Sequence, residues 1–268
     1  MFNRSKFDVS SLKFFHPMPK SRLDQLLVAR GLAQSRERAR ALILAGDVSV
    51  AGVPAVKAGT MIDDAATVSL READHPWVSR GGVKLAHALH AFGVDVTGRR
   101  ALDVGASTGG FTHVLLERGA RQVVALDVGR GQLDWRLRSD PRVIVVEGVN
   151  ARHLRPEDLP ADAAPFDLVT IDVAFISLRH ILPAIPPLLA ADGRVIALVK
   201  PQFEAGRDDV GKGGIVQDPA VHERVVAERT RDAHQIGLER VALEPSPIAG
   251  AEGNREFFML LAPAAPPT

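Results

Sequence analysis

Two apolar runs in this chain each end in an ionisable side chain. Phe166 to Ile171 leads into Asp172, and Ile196-Ala197-Leu198-Val199 leads into Lys200, with Pro201 directly after it. An ammonium group at the end of an apolar strand must be paired or put to use. Asp172 is the evident partner, although a purely structural strand-end ion pair would meet the same description. A third run, Ala101-Leu102-Asp103-Val104, opens onto Gly105-Ala106-Ser107-Thr108-Gly109-Gly110-Phe111, and Phe111 to Arg118 reads as a helix. Strand, tight loop and helix in that order present backbone N–H groups and a helix N-terminus at the carboxyl end of a parallel strand, where nucleotide-like ligands bind. Three residues separate Gly105 from Gly109, so the dinucleotide pattern G-x-G-x-x-G is not met. Asp103 stands two residues before the first glycine. That suits S-adenosylmethionine, which carries a free amino group and no pyrophosphate. An ordinary βα turn is the simpler alternative.

Further along, Gln122–Asp127 reads as a second strand. Its terminal Asp127, with Val128 after it, stands where such folds hold ribose hydroxyls, because a carboxylate accepts from two vicinal hydroxyls. Val143–Glu147 is a third strand, and Asn150 follows it as an adenine contact. Cofactor contacts are therefore expected from Asp103, Gly105, Ser107, Thr108, Gly109, Gly110, Phe111, Asp127, Val128, Asn150 and Asp172.

The elements that must position these groups alternate. Lys84–Phe92 reads as a helix, Arg99–Val104 as a strand and Leu133–Arg138 as a short helix. Phe166–Asp172 and Arg194–Lys200 read as strands, with a largely helical Ile176–Leu189 between them. Pro219–Ile236 is a long amphipathic helix, and Arg240–Leu243 and Glu256–Leu261 are the last strands. The pattern predicts an α/β fold, a mostly parallel seven-stranded sheet covered on both faces. Ahead of it lies a smaller α+β segment. It has helices from Ser21 to Gly31 and Arg36 to Ala45, then short strands at Val48–Val50, Val53–Val56 and Val68–Leu70.

Across 268 residues, 46% hydrophobic and 24% charged content support a sizeable core under a soluble surface. The absence of cysteine excludes disulfides, thiolate chemistry and Cys-ligated zinc. The histidines show no ligand spacing, so no metal is expected. No apolar run is long enough to span a bilayer, and the first residues lack a signal-peptide core, so the cytoplasm is the expected compartment. Residues 1–60 hold ten Lys/Arg against four Asp/Glu, which leaves the remainder acidic under a net charge of +1. A basic front on an acidic body points to an anionic partner, or to a solvated basic face.

Two resemblances sharpen this reading. Arg22-Leu23-Asp24, Leu27, Gly31, Ser35-Arg36, Ala39 and Gly46-Asp47-Val48-x-Val50-x-Gly52 resemble the S4-type ribosomal RNA-binding domain. The resemblance implies RNA contacts from Arg36, Arg38 and Arg40, although Arg38 and Arg40 cannot share a helix face, and Lys20, Arg22 and Arg80 are further candidates for RNA contact. Five ordered motifs then resemble the TlyA-type ribosomal RNA methyltransferases, often labelled hemolysin A. They are Ser79-Arg80-Gly81-Gly82-x-Lys84, the Asp103–Phe111 loop, Asp172-Val173-Ala174-Phe175-Ile176-Ser177, Lys200-Pro201-Gln202-Phe203-Glu204 and Gly253-Asn254-x-Glu256.

That family joins the small domain to an FtsJ-like, Rossmann-like domain that uses S-adenosylmethionine to methylate ribose 2′-hydroxyls of ribosomal RNA. The resemblance implies a catalytic set Lys84, Asp172, Lys200 and Glu256, with Glu252 a nearby competitor for the last place. Lys200 is expected to accept the hydroxyl proton if burial or Lys84 lowers its pKa. Ala174 departs from the Ser common at its position. The expected layout is a flexible extension at 1–17 (or a start at Met18), the RNA-binding domain at 18–74 and a linker at 75–80, after which Gly81-Gly82 loosen or turn the chain. The methyltransferase domain follows at 81–262 and a disordered tail at 263–268. The expected partners are ribosomal RNA or ribosomal subunits, engaged by a monomer away from any membrane. A membrane-active hemolysin and an RNA-binding protein with a vestigial transferase are the competing readings.

Overall fold

The computed structural model describes residues 19–33, 35–44, 46–55, 57–70, 75–250 and 253–264. The 1–17 extension, Glu252 and residues 265–268 lie outside them.

The front segment is built from β1 (Lys20–Arg22), α1 (Leu23–Ala29), α2 (Arg36–Leu44), β2 (Val48–Val50), β3 (Val53–Pro54), β4 (Met61–Asp63) and β5 (Val68–Leu70). Leu23, Leu26, Leu27, Ala39, Leu42 and Ile43 recur at helical spacing and meet in one small core with Val48 and Val68. β2 lies between β3 and β5, while β1 pairs with β4. Neither β1 nor β4 is apparent from the sequence. Each is three residues long and buries none of them fully, so no period-2 apolar pattern marks it.

The body contains α3 (Gly81–Ala91), β6 (Arg100–Val104), α4 (Gly110–Glu117), β7 (Gln122–Asp127), α5 (Trp135–Arg138) and β8 (Val143–Glu147). It continues through β9 (Phe166–Ile171), β10 (Leu189–Val199), α6 (Pro201–Glu204), α7 (Pro219–Gln235), β11 (Leu238–Pro245) and β12 (Phe257–Pro263). The seven strands order as β11-β12-β10-β9-β6-β7-β8. β6 runs parallel to β7 and β9, and only β12 opposes its neighbours. The chain winds from β6 outward to β8 and then returns to β9. The loops after β6 and β9 therefore diverge at the crevice where such sheets bind ligands.

Leu102 and Val104 face the core that holds α7. Ala101 faces the opposite core, under α3 and α4. Three expectations change. Ile176–Leu189 forms successive 3₁₀ turns rather than an α-helix, because Pro183, Pro186 and Pro187 supply no N–H for an i→i−4 ladder. Gly81-Gly82 start α3 instead of loosening the chain. A Cβ at Gly82 would lie 2.3 Å from the Trp77 side chain, and Trp77 itself packs edge-on to His113. Pro263 belongs to β12, and Ala264 N donates to Gly237 O, so the tail does not begin at 263.

Candidate active site

The strand ends deliver the ionisable groups to one cavity of about 370 Å³. Lys84 reaches it from α3, Asp172 from just beyond β9, Lys200 from the end of β10 and Glu256 from the start of β12. They form two ion pairs. Lys84 Nζ donates to Glu256 Oε2 at 2.6 Å, and Lys200 Nζ lies 2.5 Å from Asp172 Oδ1. The pairs are coupled. Burial pushes Asp172 up, but Lys200 and Lys84 outweigh it and hold the carboxyl below its ordinary range. Burial pushes the Lys200 ammonium down, but Asp172 and Glu256 outweigh it and hold its pKa above the ordinary value. This corrects the expectation of a depressed lysine. The carboxylates of Asp172 and Glu256 dominate the surroundings of Lys200.

The glycine loop forms the adjoining wall. Gly105, with φ +87°, lets the chain pass against β9. A Cβ there would lie 2.3 Å from the Asp172 carbonyl oxygen. A Cβ at Gly110 would lie 2.4 Å from Ser79 Oγ and 2.9 Å from Gly82 N, so the N-termini of α3 and α4 touch backbone to backbone. Gly105, Ser107, Thr108, Gly110 and Phe111 all line the cavity, as do Asp127, Val128 and Asn150. Asp127 accepts from Ser107 N at 2.9 Å and Gly129 N at 2.6 Å, which fixes its carboxylate and leaves lone pairs for vicinal hydroxyls. Asn150 Oδ1 caps the next turn through Arg152 N at 3.0 Å. A glycine loop packed tightly against β9 and α3, with a fixed carboxylate at the far side of the cavity, fits an adenosyl group.

Two expected contacts do not reach this wall. Gly109, with φ +98°, packs its α-carbon toward Leu137 and Leu133 and turns the chain into α4. Asp103 is fully buried beneath the loop, where it accepts from Thr112 Oγ1 at 2.6 Å and Thr170 Oγ1 at 3.0 Å. The alternation of β6 carries the reason. Leu102 and Val104 face one core, so Asp103 faces α4.

Burial pushes the Asp103 carboxyl up to about 7, against the two threonine hydrogen bonds. A raised carboxyl binds more protons in the folded than in the unfolded chain, so stability falls as pH climbs from about 4 to about 7. Asp103→Asn should remove that slope. Its melting temperature should match the parent near pH 5 and exceed it at pH 8. Parallel melting curves across this range would refute the assignment.

Sequence reasoning missed several wall residues. Ser79, Gln202 and Phe203 line the cavity, as does Phe175, which is exposed with φ +64°. Leu44 from the front segment and Arg80 line it as well, and Arg80 Nη2 donates to Ala249 O at 3.3 Å. The spacing of Phe175 and Phe203 from Asp172 and Lys200 was the available signal. Of the arginines expected to contact RNA, Arg22, Arg36 and Arg40 converge on buried Asp24, at 2.9, 3.3 and 3.2 Å. The Arg22 guanidinium, with Arg40 and Arg36, holds that carboxyl well below the usual range. Three half-exposed guanidiniums against one carboxylate leave a cationic face, with Lys20 exposed on the strand leading into it. Arg38 turns the other way. Its Nη1 donates to Gln132 O at 2.6 Å and its Nη2 pairs with Asp134 at 3.3 Å, docking the front segment beside the cofactor wall.

The FtsJ-like methyltransferase family model matches residues 77–262, and the S4 domain model matches residues 21–68. The chain is 49% identical to the 16S/23S rRNA (cytidine-2'-O)-methyltransferase TlyA of Mycobacterium tuberculosis over 243 residues, 90% of each chain. It is 41% identical to Hemolysin A of Brachyspira hyodysenteriae, covering 88% of this chain and 98% of the relative. A solved Streptococcus thermophilus chain that carries a hemolysin label superposes with a TM-score of 0.72 at 43% identity, covering 93% of this chain and 90% of that one.

Proposed function

Because this chain belongs to the TlyA-type family of FtsJ-like methyltransferases, we propose that it moves the methyl group of S-adenosylmethionine onto a ribose 2′-hydroxyl of ribosomal RNA, at a cytidine. It is an S-adenosylmethionine-dependent enzyme. The observation that carries the reading is the meeting, in one cavity, of a glycine cradle with the two lysine–carboxylate pairs. The bound cofactor supplies a methyl group made electrophilic by sulfonium.

The chain's residues do the rest. Asp127, Asn150 and the Gly105–Phe111 loop hold the nucleoside. Lys200 and Asp172 grip the hydroxyl, Lys200 donating to its oxygen and Asp172 accepting its proton in a hydrogen bond. Lys84 and Glu256 fix the opposite side of the acceptor ribose. In the reaction the oxygen–carbon bond forms, the carbon–sulfur bond breaks and the hydroxyl proton leaves. Lys200, held cationic by Asp172 and Glu256, takes that proton only after giving its own to solvent.

The arginine face around Asp24, with Lys20 and Arg80, holds RNA phosphates, so residues 18–74 act as the delivery domain, 75–80 as linker and 81–262 as the transferase. Arg38 serves domain docking instead. The working form is a cytoplasmic monomer that uses no metal. The hemolysin reading lacks support, since among the described residues no helix is long and apolar enough to cross a membrane. The test is incubation of the purified protein with ribosomal subunits or rRNA and methyl-labelled S-adenosylmethionine, followed by nucleoside analysis. Label should appear in 2′-O-methylcytidine. Label on a base, or none, would overturn the reading.

A further inference from the structure

We propose that Glu204, with Ser177 and Arg229, is a positioning device that sets Asp172 against Lys200; it rests on the methyltransferase reading above. Asp172 and Lys200 end neighbouring strands, and each is followed by a short irregular segment. The two segments are joined at three levels. The first is the Asp172–Lys200 pair at 2.5 Å. The second is the contact of Phe175 with Phe203, whose ring centroids are 5.1 Å apart. The third is Glu204 itself. Ser177 Oγ donates to its Oε2 at 2.5 Å, and Leu178 N donates to its Oε1 at 2.8 Å. Arg229 of α7 closes the cluster, with Nη1 2.5 Å from Glu204 Oε2 and 3.1 Å from Ser177 Oγ.

The Glu204 and Arg229 side chains are only 2% and 6% exposed. A buried ion pair seldom stabilises a fold better than apolar side chains of similar volume would. Its asset is direction, and here it fixes the register of one segment against the other.

The backbone gives the reason such a fixture is needed. Phe175 adopts φ +64° while 74% exposed, a costly conformation for a bulky residue and one that its own burial does not offset. Segment 172–177 must therefore be held at both ends. At the near end, Asp172 N donates to Val104 O at 2.9 Å, and the Asp172 carbonyl abuts Gly105. At the far end the fixture is Glu204. It also anchors α6, whose four residues make too few internal hydrogen bonds to hold a helix alone.

The test compares Ser177→Ala, which leaves the Glu204–Arg229 pair intact, with Glu204→Gln and with Ser177→Thr, which keeps the hydroxyl. In the alanine variant kcat should fall about tenfold and in the glutamine variant about a hundredfold, while KM for rRNA and the Kd for S-adenosylmethionine stay within about threefold. Ser177→Thr should restore most of kcat. Amide exchange should rise in residues 172–178 and 201–205 of both impaired variants and stay unchanged in β6 and β7. Parental kcat in Ser177→Ala, a matching loss of cofactor affinity, or unchanged exchange would each overturn the proposal. A parent protein that transfers no methyl to rRNA refutes the functional reading instead, while the exchange data still judge the clamp.

Discussion

Lys200→Ala should cut methyl transfer to rRNA by about a thousandfold, while S-adenosylmethionine binds within a few-fold of the parent. The lysine pairs directly with Asp172, at 2.5 Å. Removing it leaves a buried carboxylate that has lost its nearest cation and a hydroxyl with nothing to orient it. The cofactor wall is built from other residues and stays intact. Single-turnover transfer and calorimetry on the same preparation separate the two effects. Turnover near the parental rate would remove Lys200 from the reaction. The pH dependence follows from the pairing. Lys200 is held cationic by Asp172 and Glu256, against burial. If it must shed a proton to act, parental kcat should climb with pH through the neutral range and beyond. A flat profile would assign the proton to another acceptor.

Gly105→Ala should be nearly as damaging, by a different route. The added methyl would sit 2.3 Å from a backbone oxygen that has nowhere to go, at a residue whose φ is +87°. The left-handed conformation alone costs a non-glycine residue about 1–2 kcal/mol, and the clash adds to it. The expected result is a melting temperature lower by several degrees and a cofactor Kd raised at least about a hundredfold, or close to 3 kcal/mol. Relief of the clash requires β6 and β9 to part where the cradle is shaped. Thermal melts and calorimetry decide it, and parental affinity for S-adenosylmethionine would show that the loop does not hold the ligand.

Much of this site was written in simple patterns. Gln122–Asp127 and Val143–Glu147 match their strands end to end, because each centres on a short β-branched and apolar run bounded by polar residues or turns. Lys200 and Asp127 were legible as the first polar side chain after such a run, and Asp172 as the acid that ends a largely apolar one. Asp103 misled by type, since an acid beside a glycine loop invites a ligand contact. The alternation of Leu102 and Val104 already turned it toward α4, and that signal went unused. The protonation of Lys200 was not legible, because it depends on which charges lie a few ångströms away. The same holds for the clamp. Ser177 and Glu204 are 27 positions apart in sequence, and no periodicity relates them. The 3₁₀ turns after Ser177 were hidden behind an apolar pattern that prolines prevent from becoming a regular helix.

The seam between Gly82 and Gly110 fixes a datum. α3, which carries Lys84, and the glycine loop leading into α4 meet at glycine backbone, with the Ser79 side chain packed against Gly110 and Trp77 against Gly82. Two helices joined through side chains slide by changing rotamers, whereas two joined at bare backbone have almost no travel. The gap between Lys84 and the glycine wall of the cavity is thus machined into the body of the protein. Under the proposed function, adaptation to a curved and bulky RNA would fall to the parts outside that seam: the front segment and the loop that carries Ala249 and Gly250.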